Sequence, residues 1–215
     1  MTSRAVLWDL DGTLVDSEQQ HWLAWRDTMA TEGVTLTFEQ FRATFGWRND
    51  AILRTWIGPD IDDQRIARIG DTKEELYREL VRRNPMAPLP GAAHWVRRLH
   101  TEGWSQAVAS SAPRLNIDVV LEVIGLAGQF QASASAEDVA HGKPDPQVFL
   151  LAATRLQVPP ARAIVVEDAA AGIEAARRAG MRSIGVRRDG VRLPADIAVA
   201  SLADLPPDAF TSLIR

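Results

Sequence analysis

The chain has 215 residues, of which 46% are hydrophobic and 24% are charged, and its formal net charge is -4. This composition is typical of a folded protein with one large domain, or of a core domain with a small insert. The mildly acidic balance argues against nucleic acid or an anionic membrane as the main partner. Because the sequence contains no cysteine, disulfides, thiolate metal sites and a cysteine nucleophile are excluded.

The first predicted element is a short buried strand from Arg4 to Asp9, which ends at an Asp-Gly-Thr turn. Asp9 and Asp11 interrupt this apolar stretch, so we expect no secretory signal. No apolar run approaches the ~18 residues that a membrane span requires. We therefore expect a soluble, cytoplasmic protein, with a monomer as the default state.

The next segment, up to Asn84, has a helical and polar-rich pattern. Ser17 is predicted to cap its first helix, with Gln20 completing a capping box, and Thr37 is predicted to cap the second. Three prolines and a glycine between Asn84 and Gly91 predict a stiff connector and a domain boundary.

After Gly91 the pattern alternates between helix and strand. Strands are predicted over residues 106–109, 130–134, 163–166, 183–186 and 197–199, with helices over 92–100, 114–124, 146–156 and 170–179. Strands separated by helices of this length indicate βαβ units and a parallel sheet. The chain is thus predicted to be one strand, an all-helical insert and then the rest of an α/β domain.

Groups suited to phosphate chemistry follow the predicted strands. They are Asp9 with Asp11, Ser110 with Ser111, Lys143 in a loop, and Glu167 with Asp168. The carboxyl ends of parallel strands share one edge, so these groups could converge there. Carboxylates gathered together need a cation, and Mg²⁺ is the usual one beside phosphate. A carboxylate can accept a phosphoryl group, while Lys143 and Ser110 suit its oxygens.

Each of these motifs has a structural explanation when it is taken alone. Asp-Gly-Thr is commonly a turn, a serine pair a helix cap, Lys143-Pro144 a solvated loop, and Glu167-Asp168 the acidic first turn of a helix. Their joint occurrence, in this order and after strands, favours a site for phosphoryl transfer.

This set of motifs resembles the haloacid dehalogenase superfamily of phosphatases and mutases, through Asp9-Leu10-Asp11-Gly12-Thr13, Ser110, Lys143-Pro144 and Glu167-Asp168. The resemblance implies that Asp9 attacks phosphorus and that Asp11 protonates the leaving oxygen and then activates water. It implies Mg²⁺ ligation by Asp9, by the backbone carbonyl of Asp11 and by Asp168, with Glu167 acting through a bound water. Ser110 and Lys143 would hold the phosphoryl group.

The resemblance also implies a Rossmann-like α/β core of residues 1–17 and 88–215 and an α-helical cap near residues 18–87, similar to the cap of the β-phosphoglucomutase subfamily. His21 and Trp25 match a His-x-x-x-Trp pairing of that subgroup, and we expect His21 to face the site. Gly46, Trp47 and Arg48 lie where the subgroup has a substrate loop.

The subgroup's mutases carry Gly-Val-Ser-Arg in that loop and Ala-Ser-Lys-Asn after the motif serine. This chain has Gly46-Trp47-Arg48 and Ser111-Ala112-Pro113-Arg114 instead. Both departures put a grip on a second phosphate in doubt, although Arg48 or Arg114 could reach a distal anion or equally lie on the surface.

The function predicted from these features is Mg²⁺-dependent hydrolysis of a small phosphomonoester, such as a sugar phosphate. Two alternatives stay open. One is a β-phosphoglucomutase-like mutase, and the other is a phospho-metabolite-binding protein without turnover. The second aspartate, Asp11, argues against the binding protein because binding alone does not require it.

Overall fold

The fold centres on one parallel sheet. The computed structural model describes residues 3–187 and 191–214. The strands are β1 (Ala5–Trp8), β2 (Ser105–Ala109), β3 (Ala132–Ala134), β4 (Ala163–Glu167), β5 (Arg182–Val186) and β6 (Ile197–Val199). They lie in the order β3-β2-β1-β4-β5-β6, and every neighbouring pair is parallel. β1 and β4 are neighbours, so the residues that follow them meet at one edge.

Helices cover both faces of this sheet. The core helices are α5 (Ala92–Thr101), α6 (Arg114–Val123), α7 (Gln147–Arg155), α8 (Ala170–Arg178) and α9 (Ala209–Leu213). Side chains alternate along β1, with Val6 and Trp8 in one hydrophobic core and Ala5 and Leu7 in the other. Residues of α5, α6 and α9 belong to the first core and residues of α7 and α8 to the second. The sheet is therefore buried on both sides.

Four helices form the insert between β1 and β2: α1 (Glu18–Thr31), α2 (Phe38–Thr44), α3 (Asn49–Trp56) and α4 (Asp63–Arg83). They enclose a third hydrophobic core that includes Trp25, Phe41 and Leu53. The two chain segments that join the insert to the sheet domain run side by side. A hydrogen bond links them, from the Leu89 amide to the Leu14 carbonyl at 2.8 Å. The predicted division at residues 17 and 88 stays a prediction.

The predicted α/β class, with its parallel sheet and inserted helices, is confirmed, and most element ends differ by only one or two residues. The capping box at Thr37 is present, whereas the one at Ser17 is wrong. Instead, the Ser17 hydroxyl donates to the Asp11 carboxylate. A hydrogen bond to a charged carboxylate is stronger than the hydrogen bond between serine and a backbone amide in a helix cap. Helix α9 has no counterpart in the prediction.

Membrane-crossing segments are not part of the described fold. Over residues 3–187 and 191–214, no helix combines the length and the apolar character that a membrane span needs.

Candidate active site

Three carboxyl groups gather at the carboxyl edge of the sheet. Asp9 directly follows β1, Glu167 is the last residue of β4, and Asp168 follows it. One oxygen from each of these residues lies within 4.8 Å of the others. The structure thus brings together acids that are far apart in the sequence, as the position of each after a strand predicts.

Lys143 lies between two of these acids. Its Nζ donates to Asp9 Oδ1 at 2.6 Å and to Glu167 Oε1 at 2.5 Å, and its side chain is buried. Burial opposes the charged ammonium, but the charges of Asp9 and Glu167 outweigh this and raise the pKa of Lys143 above its usual range. Lys143 is therefore a fixed positive charge beside Asp9.

One ammonium group does not compensate three carboxyl groups. Burial raises the pKa of Asp9 to about 8, Lys143 opposes the rise, and Glu167 adds to it. Burial, together with the charges of Glu167 and Asp9, also raises the pKa of Asp168 well above its usual value. The raised pKa values show that these carboxyl groups do not readily ionise at the same time. A divalent cation such as Mg²⁺, which prefers hard oxygen ligands, would stabilise their charged forms.

Asp11 lies in the same cavity but has different partners. Its carboxylate accepts from the Ser17 hydroxyl, and its Oδ1 lies 3.5 Å from His21 Nε2. Burial alone would raise the pKa of Asp11, but the hydrogen bond from His21 and the hydrogen bond from Ser17 lower it. Since its carboxylate is turned toward α1, the predicted metal contact through its backbone carbonyl stays a prediction.

His21 is held in one tautomer. Lys73 Nζ lies 2.9 Å from His21 Nδ1, and an ammonium group can only donate. We therefore assign the imidazole proton to Nε2, which faces Asp11. Burial and the charge of Lys73 lower the pKa of His21, so its ring is neutral at pH 7. The expectation that His21 faces the site agrees with this position.

Lys73 is a site residue that the sequence analysis missed. Ile69, Lys73, Tyr77 and Val81 form an i, i+4 stripe on α4, and all four are buried. A lysine within such an apolar stripe was an available signal. So was its rarity, because only two of the 24 basic residues are lysines, Lys73 and Lys143, and both line this cavity.

The predicted cap loop divides between two cavities. Gly46 and Trp47 line the cavity that contains Asp9, which encloses about 120 Å³, and they also line a second, adjoining cavity. Trp47 is 51% exposed, consistent with a position at the mouth. Arg48 lines only the adjoining cavity of these two. Its Nη1 donates to the carbonyls of Ala136 at 3.0 Å and Val139 at 2.8 Å.

The residues after β2 also separate. Ser110 and Ser111 line the cavity with Asp9, and the buried Ser110 hydroxyl accepts from the Ala112 amide at 3.0 Å. Arg114 lines neither of the two cavities. Its guanidinium donates to Asp138 at 2.7 Å and to the Ser133 hydroxyl. Arg114 is thus placed at a structural ion pair, and its predicted role in binding substrate stays a prediction.

The fold and the site together define a capped α/β enzyme with an acidic cluster in a cavity lined by both the cap and the core. Residues 3–180 match the family model described as haloacid dehalogenase-like hydrolase. The chain therefore belongs to the haloacid dehalogenase-like hydrolase family, which confirms the predicted family and the prediction that the protein is an enzyme of the hydrolase class.

Individual relatives agree with this membership. The fructose-1-phosphate phosphatase YqaB of Escherichia coli is 33% identical over 85% of this chain and 95% of the relative. The beta-phosphoglucomutase of Bacillus subtilis is 30% identical over 94% of this chain and 91% of the relative. Among solved structures, the fold is similar to that of CbbY from Rhodobacter sphaeroides in complex with phosphate. The TM-score is 0.86 and the sequence identity is 28%, and the match covers 95% of this chain and 96% of the CbbY chain.

Proposed function

We propose that this protein is a Mg²⁺-dependent phosphatase that hydrolyses a small phosphomonoester, a sugar phosphate or similar polyol phosphate, through a phosphoryl group on Asp9. The observation that carries the proposal is the contact of Lys143 with Asp9 and Glu167, in a cavity that also contains Asp11. Relatives named as phosphatases of sugar phosphates and related compounds support the substrate class.

Asp9 and Asp168 would hold Mg²⁺ together with the backbone carbonyl of Asp11, and Glu167 would act on the ion through a bound water. When bound, the ion supplies positive charge that offsets the charge of the phosphoryl group. Lys143 supplies a second positive charge at Asp9, and Ser110 places a hydroxyl in the same cavity. These groups would hold the substrate phosphate against the nucleophile, as phosphoryl transfer requires.

Two side chains share the proposed chemistry. A carboxylate oxygen of Asp9 forms a bond to phosphorus while the bond to the leaving oxygen breaks, and Asp11 gives its proton to that oxygen. Water then attacks phosphorus, Asp11 accepts the proton, and the Asp9–phosphorus bond breaks to release phosphate. The neighbours of Asp11 favour its carboxylate in the free protein. The negative charge of a bound phosphate raises its pKa and favours the acid form.

The direct test is phosphate release from a panel of phosphosugars and polyol phosphates. We expect turnover in Mg²⁺ that disappears when the metal is chelated and returns when Mg²⁺ is added back, because the acidic cluster needs the ion's charge. Turnover that persists in excess chelator would contradict the metal's role. Absence of turnover across the panel, with tight binding of its members, would favour the non-catalytic alternative.

A mutase is the second candidate, supported by the relative named as a beta-phosphoglucomutase. A mutase must pass through a bisphosphate, so a sugar bisphosphate activator should stimulate conversion of β-glucose 1-phosphate to glucose 6-phosphate. We expect glucose and phosphate as the products instead. A sustained yield of glucose 6-phosphate would favour the mutase.

A monomeric state and a cytoplasmic location also stay predictions.

The position of Glu167 in the acidic cluster depends on a glycine in α8. A Cβ atom at Gly172 would lie 2.0 Å from both Cδ and Oε1 of Glu167. We therefore expect Gly172→Ala to displace this carboxylate and to weaken Mg²⁺ binding by about 10- to 100-fold, the usual effect of disturbing groups around a metal. The measurement is the Mg²⁺ concentration dependence of the melting temperature and of phosphate release.

Gly128→Ala is the matched control for this change, because a Cβ atom at Gly128 would meet no heavy atom within 4 Å. The control should bind Mg²⁺ like the unmodified protein. If Gly172→Ala does so too, Glu167 is not part of the metal site.

A further inference from the structure

Glu74 is a buried carboxylate with three partners. It accepts from Lys73 Nζ at 2.9 Å and from Asn49 Nδ2 at 2.8 Å, both in the cap, and from Asn116 Nδ2 in core helix α6 at 2.6 Å. Burial acts against its charge, but Lys73 and the hydrogen bond from Asn116 lower the pKa of Glu74. The side chain is therefore an anion, fixed in place where the cap meets the core.

This anion compensates the one ammonium group at the cap end of the cavity. The lining contains five carboxyl groups and two ammonium groups. Lys143 pairs with Asp9 and Glu167, and Lys73 pairs with Glu74. Apart from these residues, His21 and Asn49, the cap contributes mainly aromatic and other uncharged side chains to the lining: Trp25, Phe41, Thr44, Phe45, Gly46, Trp47 and Ile52.

Arg48, the arginine of the predicted substrate loop, does not supply an unpaired positive charge to the cavity that contains Asp9. Arg48 Nε lies 3.2 Å from Asp50 Oδ1, and its Nη1 donates to the two carbonyls of residues 136 and 139 in the core. These contacts occupy its guanidinium outside the cavity that contains Asp9. Within the described residues, each basic group that lines this cavity thus has an acidic partner.

We propose that Glu74 is a specificity-determining residue. By pairing with Lys73, it makes the cap end of the cavity electrically neutral, so that the site accepts monophosphates whose remainder is uncharged and rejects compounds with a second phosphate. This inference rests on the proposed phosphatase function and narrows its substrate class. A second phosphate brought into this region would lose water and gain no unpaired cation.

The first measurement uses the unmodified protein with two probes, fructose 1-phosphate and fructose 1,6-bisphosphate, which differ by one phosphate. We expect kcat/KM to be at least about tenfold higher for the monophosphate, since a second phosphate at the cap end loses its water and meets no unpaired cation. Equal values, or a preference for the bisphosphate, would overturn the proposal. Absence of turnover of any phosphomonoester would contradict the proposed function instead.

The second measurement removes the carboxylate charge. Glu74→Gln keeps the shape of the side chain and leaves the Lys73 ammonium without its acidic partner. The ratio of kcat/KM for the bisphosphate to that for the monophosphate should rise about tenfold, whatever happens to the absolute rates. An unchanged ratio in folded Glu74→Gln would overturn the assignment of specificity to Glu74.

Two further variants complete this design. Glu75→Gln removes the same charge from an exposed neighbour on α4, so its ratio should match that of the unmodified protein. The double variant Lys73→Met with Glu74→Gln removes both charges and leaves the region neutral again. Its ratio should return to that of the unmodified protein, and a ratio that stays raised would show that the change is not due to the exposed ammonium charge.

Discussion

Replacing Asp9 with Asn is expected to lower turnover of a phosphomonoester by at least about 10⁴-fold, because an amide oxygen is a far weaker nucleophile than a carboxylate. The fold should survive, since the substitution keeps the size of the side chain and removes one of three crowded carboxyl groups. The measurement is the rate of phosphate release in saturating Mg²⁺, with circular dichroism to verify the fold.

A second readout separates loss of the nucleophile from a general loss of binding. Rapid quenching of the unmodified protein during turnover should trap a phosphoryl group, which mass spectrometry of peptides can assign to Asp9, and the variant should trap none. Asp118→Asn is the matched control, because Asp118 is exposed on α6. Turnover within about tenfold of normal in Asp9→Asn would end the assignment of Asp9 as nucleophile.

Replacing Lys143 with Met should destabilise the protein by about 3–5 kcal/mol, because it leaves Asp9 and Glu167 buried without their shared cation. Because the pKa of Lys143 is raised above the lysine's ordinary value of 10.5, its ammonium stays charged throughout the pH range of the measurement, and the contribution varies only with the ionisation of its acidic partners. Turnover should also fall, by about 10²-fold or more, because within residues 3–187 and 191–214 no other side chain donates to Asp9. Urea unfolding in chelator at pH 8.5 measures the loss of stability.

The pH dependence has a definite sign. Asp9 has a pKa raised to about 8, so the metal-free folded state binds its proton more tightly than the unfolded state does. Stability therefore falls as pH rises from the ordinary aspartate value toward 8. Lys143 opposes the rise in the pKa of Asp9, so without it that pKa should be higher still and the fall should continue beyond pH 8. The deficit of Lys143→Met should therefore grow between pH 7 and pH 9. Arg97→Met, at an exposed position on α5, should show no such trend. A deficit independent of pH would contradict this account.

The catalytic end of the site could be predicted from the sequence because its residues follow strands. Strands of a parallel sheet all end at the same edge, so Asp9 after β1 and Glu167 at the end of β4 are expected along that edge. The pairing of β1 with β4 in the structure then makes them neighbours. Local spacing carries this information, and the family resemblance adds the roles. The bounds of the helices and strands could also be predicted from local sequence, because hydrophobic periodicity reflects which face of each helix or strand is buried.

The cap end could not be predicted in the same way. Whether Arg48 points into the cavity or onto the carbonyls at 136 and 139 depends on how α3 docks against a loop about 90 residues further along the chain. The contact of Glu74 with Asn116 has the same origin. The prediction that Ser17 caps α1 was wrong for a similar reason. Its position before α1 suits a cap, but its hydroxyl donates to the Asp11 carboxylate, which is a stronger acceptor.

The distribution of primary amines has a practical consequence. Both lysine side chains of this chain are buried in one cavity, so arginine is the only permanently charged basic side chain on the remaining surface. Acylating reagents modify amines and leave guanidinium groups largely intact. In the folded protein, such reagents should therefore reach the two ε-amino groups only when the cap separates from the core. The rate of lysine acylation then measures how often the cap opens.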